Sequence, residues 1–399
     1  MPAGRALLVD IVRSPFGRGR ASGALAGLHP VDLFAQVLRG LVARTGIDPG
    51  EVEDVIAGCV LQVGEQSANI ARHAWLAAGF PESTPGVSLD RKCGSAQQAL
   101  DFAAQGVIAG AYDVVIAGGV EMMSRVPMKS NRMGMDNLGP ALRARYPEGL
   151  VHQGISAELI AARWALGREA LDAYAAESHR RAALAQDEGR VGAQIVAVAV
   201  PDPSAGSTRV VHDEGVRRDT SVAKLAALEP AFMDAAAGAR FPQIGWRVTA
   251  GNSSQVTDGA FAALVVSEAA AARLGLRPRA AFRGFAVAGD DPVMMLTGII
   301  PATRKLLARA GLRMQDIDAF EVNEAFASVV LAWQAELGAE PARVNADGGA
   351  ISFGHPVGAS GGRLMASLVG GLEARGGRLG LQVMCESGGM ANATLMEAL

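Results

Sequence analysis

Two cysteines stand far apart in this chain: Cys93 in Leu89-Asp90-Arg91-Lys92-Cys93-Gly94-Ser95-Ala96, and Cys385 in Met384-Cys385-Glu386-Ser387-Gly388-Gly389-Met390. Between them in sequence lie Asn323-Glu324-Ala325-Phe326 and Gly354-His355-Pro356-Val357-Gly358-Ala359-Ser360-Gly361, a histidine in a rigid, glycine-rich turn ahead of a helix. Two thiols, one imidazole and one amide point to acyl transfer, in which a sulfur carries the acyl group with help from a neighbouring base.

Cys93 sits where a strand turns into a helix of small residues, so its sulfur is expected to feel the positive end of that helix. A free thiol titrates near 8.5, and holding it as thiolate at neutral pH takes a shift of roughly two units, or roughly 3 kcal/mol. A helix end supplies about 0.3 to 1 kcal/mol and about 2 at most, so a second group is needed, and His355 is the candidate partner. Pro356 biases His355 toward an extended backbone, and Gly354 lets the chain approach another segment closely. Taken alone, Cys93 would as readily be a small apolar plug at a helix start. The surrounding motifs tip it toward chemistry. Cys385 ends an apolar strand just before Glu386-Ser387-Gly388-Gly389, where unpaired backbone N–H groups are able to face a developing oxyanion. Asn323, at a strand end, has an amide able to hold a water or a carbonyl oxygen, although asparagine there is often only a turn former. Cys59, in Val55-Ile56-Ala57-Gly58-Cys59-Val60, has no such neighbours and is read as packing. His29 and His73 are read as structural, His179 and His212 as surface.

The elements that position these groups form a repeat. In the first half, Gly46 to Val60 reads as helix exit, acidic turn and strand. A strand ending near Asp90, the Cys93 turn, a helix from about Ser95 to Ala109 and the apolar strand Val114–Ala117 before Gly118-Gly119 follow. The second half repeats that order from Gly311 to Ala325, then through the His355 turn, a helix from about Ser360 to Ala374 and a strand over Leu379–Met384. Such self-similarity marks a repeated structural unit, and helices alternating with short apolar strands indicate sheets covered on both faces. From Met122 to Val248 the rhythm changes, with helical stretches over Ala157–Trp164 and Asp172–Gln186, which marks an insertion. Ala260–Ser267 completes the first half and Arg279–Phe285 opens the second. The expected division is therefore 1–121 plus 249–273, an inserted domain 122–248, and 274–399.

Composition narrows the function classes. The chain has 399 residues, 50% of them hydrophobic and 19% charged, with 49 glycines, which suits a compact protein of two or three domains. A net charge of −3 offers no global field for nucleic acid or an anionic membrane. Three cysteines without CxxC spacing argue against a disulfide framework and against a metal site, and fit a reducing, cytoplasmic setting. A strand-like run, Arg5–Val12, begins almost at once, so a soluble and unprocessed protein is expected.

With these segments in view, the chain resembles the thiolases, acetyl-CoA C-acyltransferases, over essentially its whole length. The resemblance rests on the Cys93 and Cys385 segments, Gly118-Gly119-Val120-Glu121-Met122-Met123-Ser124, Thr249–Ser254 with Asp258-Gly259, Asn323–Phe326 and Gly354–Gly361. It implies an α/β, five-layered αβαβα fold made by duplication, with an inserted loop domain. It implies that Cys93 takes an acyl group from an acyl-CoA assisted by His355, and that Cys385 is acid and base at the substrate α-carbon. It further implies that His355 and a water on Asn323 stabilise the enolate, while the backbone N–H groups of Cys93 and Ser387 form the oxyanion hole for the tetrahedral intermediate. Coenzyme A contacts are implied for His152, Arg217 and Ser254, and acyl-pocket walls for Met295 and Phe326. The resemblance implies acyl-CoA and CoA as substrates, no cofactor, and a homodimer or homotetramer. Acetyl-CoA acetyltransferase activity is the leading expectation, with medium- or long-chain 3-ketoacyl-CoA thiolysis as the alternative.

Asp90, Ala96 and Ser387 depart from the family's usual residues, and Ser387 is tolerable in the oxyanion hole if its φ is negative. Gln153, Leu296 and Ile299 also depart, and border the acyl pocket, so they leave substrate length open. Two rivals stay in view: a ketosynthase-type condensing enzyme, which uses histidine or asparagine where Cys385 stands, and a non-catalytic CoA-binding protein on the same scaffold.

Overall fold

The computed structural model describes residues 4–202, 204 and 206–399. Apolar runs build its strands. In the first half these are β1 (Ala6–Arg13), β2 (Asp54–Gly58), β3 (Gly86–Leu89), β4 (Val114–Met122) and β5 (Thr257–Ser267); in the second, β6 (Ala280–Gly289), β7 (Ala319–Val322), β8 (Leu379–Glu386) and β9 (Met390–Ala398). Every residue of β4 is buried, as expected of a strand covered on both faces. The first sheet runs β3-β2-β4-β5-β1 and the second β7-β8-β9-β6. In both, parallel pairing at one end gives way to antiparallel pairing. The equivalence of β2 with β7, β4 with β8, β5 with β9 and β1 with β6 is the duplication in structural form. Two residue pairs, Leu7 with Ala281 and Leu8 with Ala280, join the sheets edge to edge.

Helices fill three layers around the sheets. α1 (Pro30–Thr45) and α2 (Ile70–Ala77) cover the outer face of the first sheet, where Leu33, Phe34, Leu38 and Trp75 pack on Val55, Ile116 and Leu264. α1 starts where the His29 imidazole accepts the Val31 N–H and ends at left-handed Gly46. α3 (Ser95–Ala109) and α9 (Ser360–Arg375) lie between the sheets, with Ala99, Leu100, Met365 and Leu368 in one core with Ile56, Phe261 and Phe282. α6 (Ile299–Ala310) and α7 (Ala327–Leu337) cover the outer face of the second sheet. This is the five-layered arrangement expected from the sequence. Between β4 and β5 the chain forms α4 (Gln153–Arg163), which packs on α7, and α5 (Arg168–Asp187), which packs on the short helix α8 (Ala350–Phe353).

Strand direction places the chemistry. Cys93 follows the carboxyl end of β3, Cys385 lies at that end of β8, Asn323 follows β7, and His355 precedes α9, the helix that leads into β8. Carboxyl ends of strands are where open α/β sheets bind ligands.

Candidate active site

The turn that carries Cys93 is fixed from both sides. Asp90 Oδ1 accepts the Lys92 N–H at 2.7 Å, and the Ser95 hydroxyl accepts the Arg91 N–H at 2.8 Å while donating to Lys92 O at 2.6 Å. Lys92 takes the left-handed φ of 51° that this tight turn requires. Gly58 below it admits close approach: a Cβ there would lie 2.7 Å from Ala96 N and 2.8 Å from Gly358 O, so one side chain would separate the cysteine turn from the histidine turn.

The Cys93 thiol is not acidified, contrary to the expectation from helix position. Burial pushes its pKa above the ordinary thiol range, and Cys385 and Glu386 add to the rise. The backbone N–H groups of Cys93 and Ser387 pull the other way without winning. The loss of solvent at a packed two-thiol site outweighs the field of a helix end. Ser387 keeps a negative φ, while Gly388 and Gly389 take values of 95° and 77°. The serine thus leaves the turn intact and its N–H aimed at the Cys93 sulfur.

His355 is held by two contacts. Its N–H donates to Gln255 O at 2.9 Å, and its Nδ1 lies 2.6 Å from Ser360 Oγ. The one Ser360 hydroxyl proton is donated to Pro356 O at 2.9 Å. That network assigns the ring proton to Nδ1, which donates to Ser360 and leaves Nε2 as a bare acceptor. Nε2 is buried and has no partner among the described residues. Burial, followed by Arg363, lowers the His355 pKa to about 4, so the ring rests neutral. Behind it, the Gln255 amide nitrogen lies 2.8 Å from Ile351 O and 3.0 Å from both Ser352 O and Gly215 O, tying the end of α8 to the inserted region.

Cys385 is fully buried, and burial lifts its pKa to about 12; the Asn323 amide opposes this most strongly. Asn323 is completely buried, and neither Nδ2 nor Oδ1 makes a full hydrogen bond among the described residues, so the amide that acts on the Cys385 thiol has capacity to spare. Its neighbour Glu324 is saturated, accepting from Tyr174 at 2.9 Å, Ser178 at 2.7 Å, the Ile351 N–H at 3.1 Å and Asn345 at 3.2 Å. Glu324 therefore ties α5 to the start of the histidine segment.

Cys93, His355, Ser387, Phe326, His152 and Ser254 line one cavity of about 300 Å³. Cys385 and Asn323 lie beneath that lining, with Cys385 near enough to raise the Cys93 pKa. Two further cavities adjoin. One of about 470 Å³ shares Lys92, His152, Gln153 and Ser387 with the first and continues past Met295 and Gly388. The other, of about 510 Å³, shares His152 and Phe232 and continues past Val151, Arg240 and Phe241. Met295, expected beside Phe326, lines the second cavity rather than the first. It adopts φ 51° and ψ −59°, and Leu296 N–H bonds to Met294 O at 2.5 Å around it, a strained three-residue turn that costs on the order of 1–3 kcal/mol.

Arg217 lines none of these cavities; it lies exposed on its loop, where its N–H donates to His179 Nδ1 at 3.1 Å. His179, read as surface, is instead buried in α5, and burial takes its pKa to about 4. His73 is exposed and His212 also. Sequence reasoning missed Gln255 and the number of partners of Glu324. Ser360 stood inside the quoted glycine-rich motif, five residues after His355, but the fold alone shows its hydroxyl on the ring.

Residues 6–269 match the family model described as thiolase, N-terminal domain, and residues 276–398 match thiolase, C-terminal domain; the chain belongs to the thiolase family. The protein is an acyltransferase, with acyl-CoA and CoA as substrates. It is 47% identical over 402 residues to a steroid 3-ketoacyl-CoA thiolase of Mycobacterium tuberculosis, covering 99% of this chain and 94% of that protein. It is 40% identical over 395 residues to a 3-ketoacyl-CoA thiolase of Saccharophagus degradans, covering 98% and 97%. The crystal structure of the Bacillus anthracis acetyl-CoA acetyltransferase superposes with a TM-score of 0.89 at 36% identity, covering 100% of both chains.

Proposed function

We propose that this thiolase cleaves 3-ketoacyl-CoA esters whose acyl part is larger than acetoacetyl, releasing acetyl-CoA. One observation carries this reading: two cavities adjoin the reaction cavity, one beside His152 and Phe232 and one past Ser387 and Met295, and in this reading the first takes the pantetheine arm and the second the acyl chain held on Cys93. Gln153 stands at the junction of the first two cavities. The names of the relatives, one a steroid thiolase, support an acyl part of some bulk.

In the proposed reaction the Cys93 S–H proton passes to His355 Nε2 as sulfur bonds to C3 of the substrate. The C3 oxyanion is received by the N–H groups of Cys93 and Ser387, worth about a hundredfold or more in rate per donor. Collapse of the intermediate breaks the C2–C3 bond. The acetyl-CoA enolate oxygen meets the new N–H at His355 Nε2 and a donor held by Asn323, while Cys385 gives its S–H proton to C2. Incoming CoA then loses its thiol proton to the Cys385 thiolate and attacks the acyl-Cys93 carbonyl. Cys93 leaves and recovers its proton from His355. The products are acetyl-CoA and a shortened acyl-CoA, both cysteines regain their starting state, and no cofactor enters.

His152 and Ser254 line the pantetheine path, Arg217 receives the nucleotide end from its exposed loop, and Phe326 and Met295 wall the acyl side. The division 1–121 plus 249–273, 122–248 and 274–399, a homodimer or homotetramer, and a cytoplasmic setting belong to the same reading. Thiolysis rates across a short-to-long 3-ketoacyl-CoA series test it, with kcat/KM expected to rise beyond acetoacetyl-CoA. A maximum at acetoacetyl-CoA favours the second reading, acetyl-CoA acetyltransferase activity, to which the similarity with the Bacillus anthracis enzyme points.

A further inference from the structure

The cavity past Met295 is charged in one sense only. Lys92, Lys129 and Arg132 line it together with Asn137 and Gln153, and no carboxylate does. The nearby acids are already engaged: Asp90 holds the Lys92 ammonium at 2.5 Å, and Asp136 pairs with Arg143 at 2.9 Å. Lys129 and Arg132 enter no ion pair among the described residues. Both belong to one short turn, Ser130–Arg132 preceded by Lys129, whose backbone is held left-handed at Lys129 (φ 76°) and Met133 (φ 51°). Non-glycine residues take such angles at a cost, and paired outliers beside a ligand cavity point to a constraint on where their side chains sit.

We propose that this cavity receives an acyl group whose far end carries a carboxylate, so that the substrates include CoA monothioesters of 3-keto dicarboxylic acids. The proposal rests on the thiolysis reading and narrows it. An alkyl chain entering here would strip water from two unpaired cations and return nothing, whereas a carboxylate meets both, and the Asn137 and Gln153 amides offer further N–H donors. The carboxylate takes no part in bond making, so the proton and acyl transfers are unchanged.

The test compares matched 3-ketoacyl-CoA pairs of equal carbon number, one ending in methyl and the other in carboxylate, by kcat/KM for thiolysis. The carboxylated member is expected to be favoured roughly fivefold to tenfold, the scale of two partly exposed ion pairs, with the preference shrinking as salt is raised. In the Lys129→Met/Arg132→Met double variant the ratio is expected to fall to near one, with KM for CoA staying at the parent value. Equal kcat/KM within the pairs, or a preference that survives in the double variant, overturns the proposal. A rise in KM for CoA by the same factor with every acyl substrate assigns the cations to the CoA phosphates and overturns it too. Good turnover of long neutral chains with none of carboxylated ones sinks this proposal alone, while turnover of acetoacetyl-CoA and nothing longer sinks the thiolysis reading with it.

Discussion

Replacing Ser360 by alanine isolates what holds the His355 ring in its working tautomer. The substitution removes the oxygen 2.6 Å from Nδ1 and leaves a buried ring N–H facing a methyl group. An orphaned buried donor costs about 1–3 kcal/mol. The ring escapes that cost by moving its proton to Nε2, the atom proposed to accept the Cys93 proton. Either way the basic tautomer is disfavoured by that amount, which is about a fivefold to 150-fold fall in kcat/KM. The effect is confined to steps needing the base, so KM for CoA is expected to hold, and alkylation of Cys93 by iodoacetamide is expected to slow in step with thiolysis. Ser360→Thr keeps the hydroxyl and is expected to recover part of the loss. Steady-state thiolysis of acetoacetyl-CoA with the parent and both variants reads the result. A kcat/KM for Ser360→Ala within twofold of the parent refutes the tautomer argument, and a matched rise in KM for CoA would mean that the cavity itself had moved.

Cys385→Ala is expected to lower thiolysis by roughly 10²–10⁴-fold, the range for losing a general acid–base group. Acetyl-CoA should still label Cys93 in intact-mass spectra, and loss of labelling would count against the assigned division of roles. Because burial raises the Cys93 pKa, its alkylation rate is expected to keep climbing with pH through 9, and a plateau near pH 7 would restore the acidified thiolate. Burial takes the Glu386 carboxyl up to about 8, with Arg91 opposing and Asp101 and Asp90 adding, and both its oxygens lack hydrogen-bond partners among the described residues. The folded state therefore keeps a proton that the unfolded chain releases above about 4.5, and this group's contribution falls as pH rises from there through 8. Glu386→Gln is expected to match the parent near pH 4 and to gain on it in urea midpoint by pH 9; parallel curves would refute the shift.

How far the sequence reveals the fold depends on the range of the interaction that sets each feature. The expected helix over Ser95–Ala109 coincides with α3 because glycines bracket it, with Gly110 ending it in the left-handed region. The strand expected over Val114–Ala117 instead runs to Met122, since β5 pairs with it as far as Met122 opposite Asp258, a partner 136 positions along the chain. The duplication was legible because both halves repeat the same order of local signals. Cys93, His355, Cys385 and Asn323 stand out as candidates for a similar reason: each sits in a motif that also forms a turn. The charge state of Cys93 was not legible, because it depends on burial and on one remote segment, Cys385-Glu386, closing over it. The distances of Arg217 and Met295 from the reaction cavity show the same limit, since they are set by the path of the whole insertion or loop.

The shifts at Cys93, Cys385, His355 and Glu386 share one cause and one direction: burial comes first in each, and each favours the uncharged form. The resting site therefore holds two thiols and a neutral imidazole. Moving the Cys93 proton to a ring that titrates near 4 is strongly uphill without substrate. In the proposed reaction it becomes feasible only as the sulfur–carbon bond forms and the negative charge passes to a carbonyl oxygen facing the N–H groups of Cys93 and Ser387. Those donors are fixed by the two turns before any ligand arrives, so little reorganisation is needed when the charge appears. On the same reading the arrangement keeps Cys93 quiet toward stray electrophiles near neutral pH, because a thiol that ionises there only against a seated thioester is a poor target for anything that cannot occupy the proposed oxyanion site.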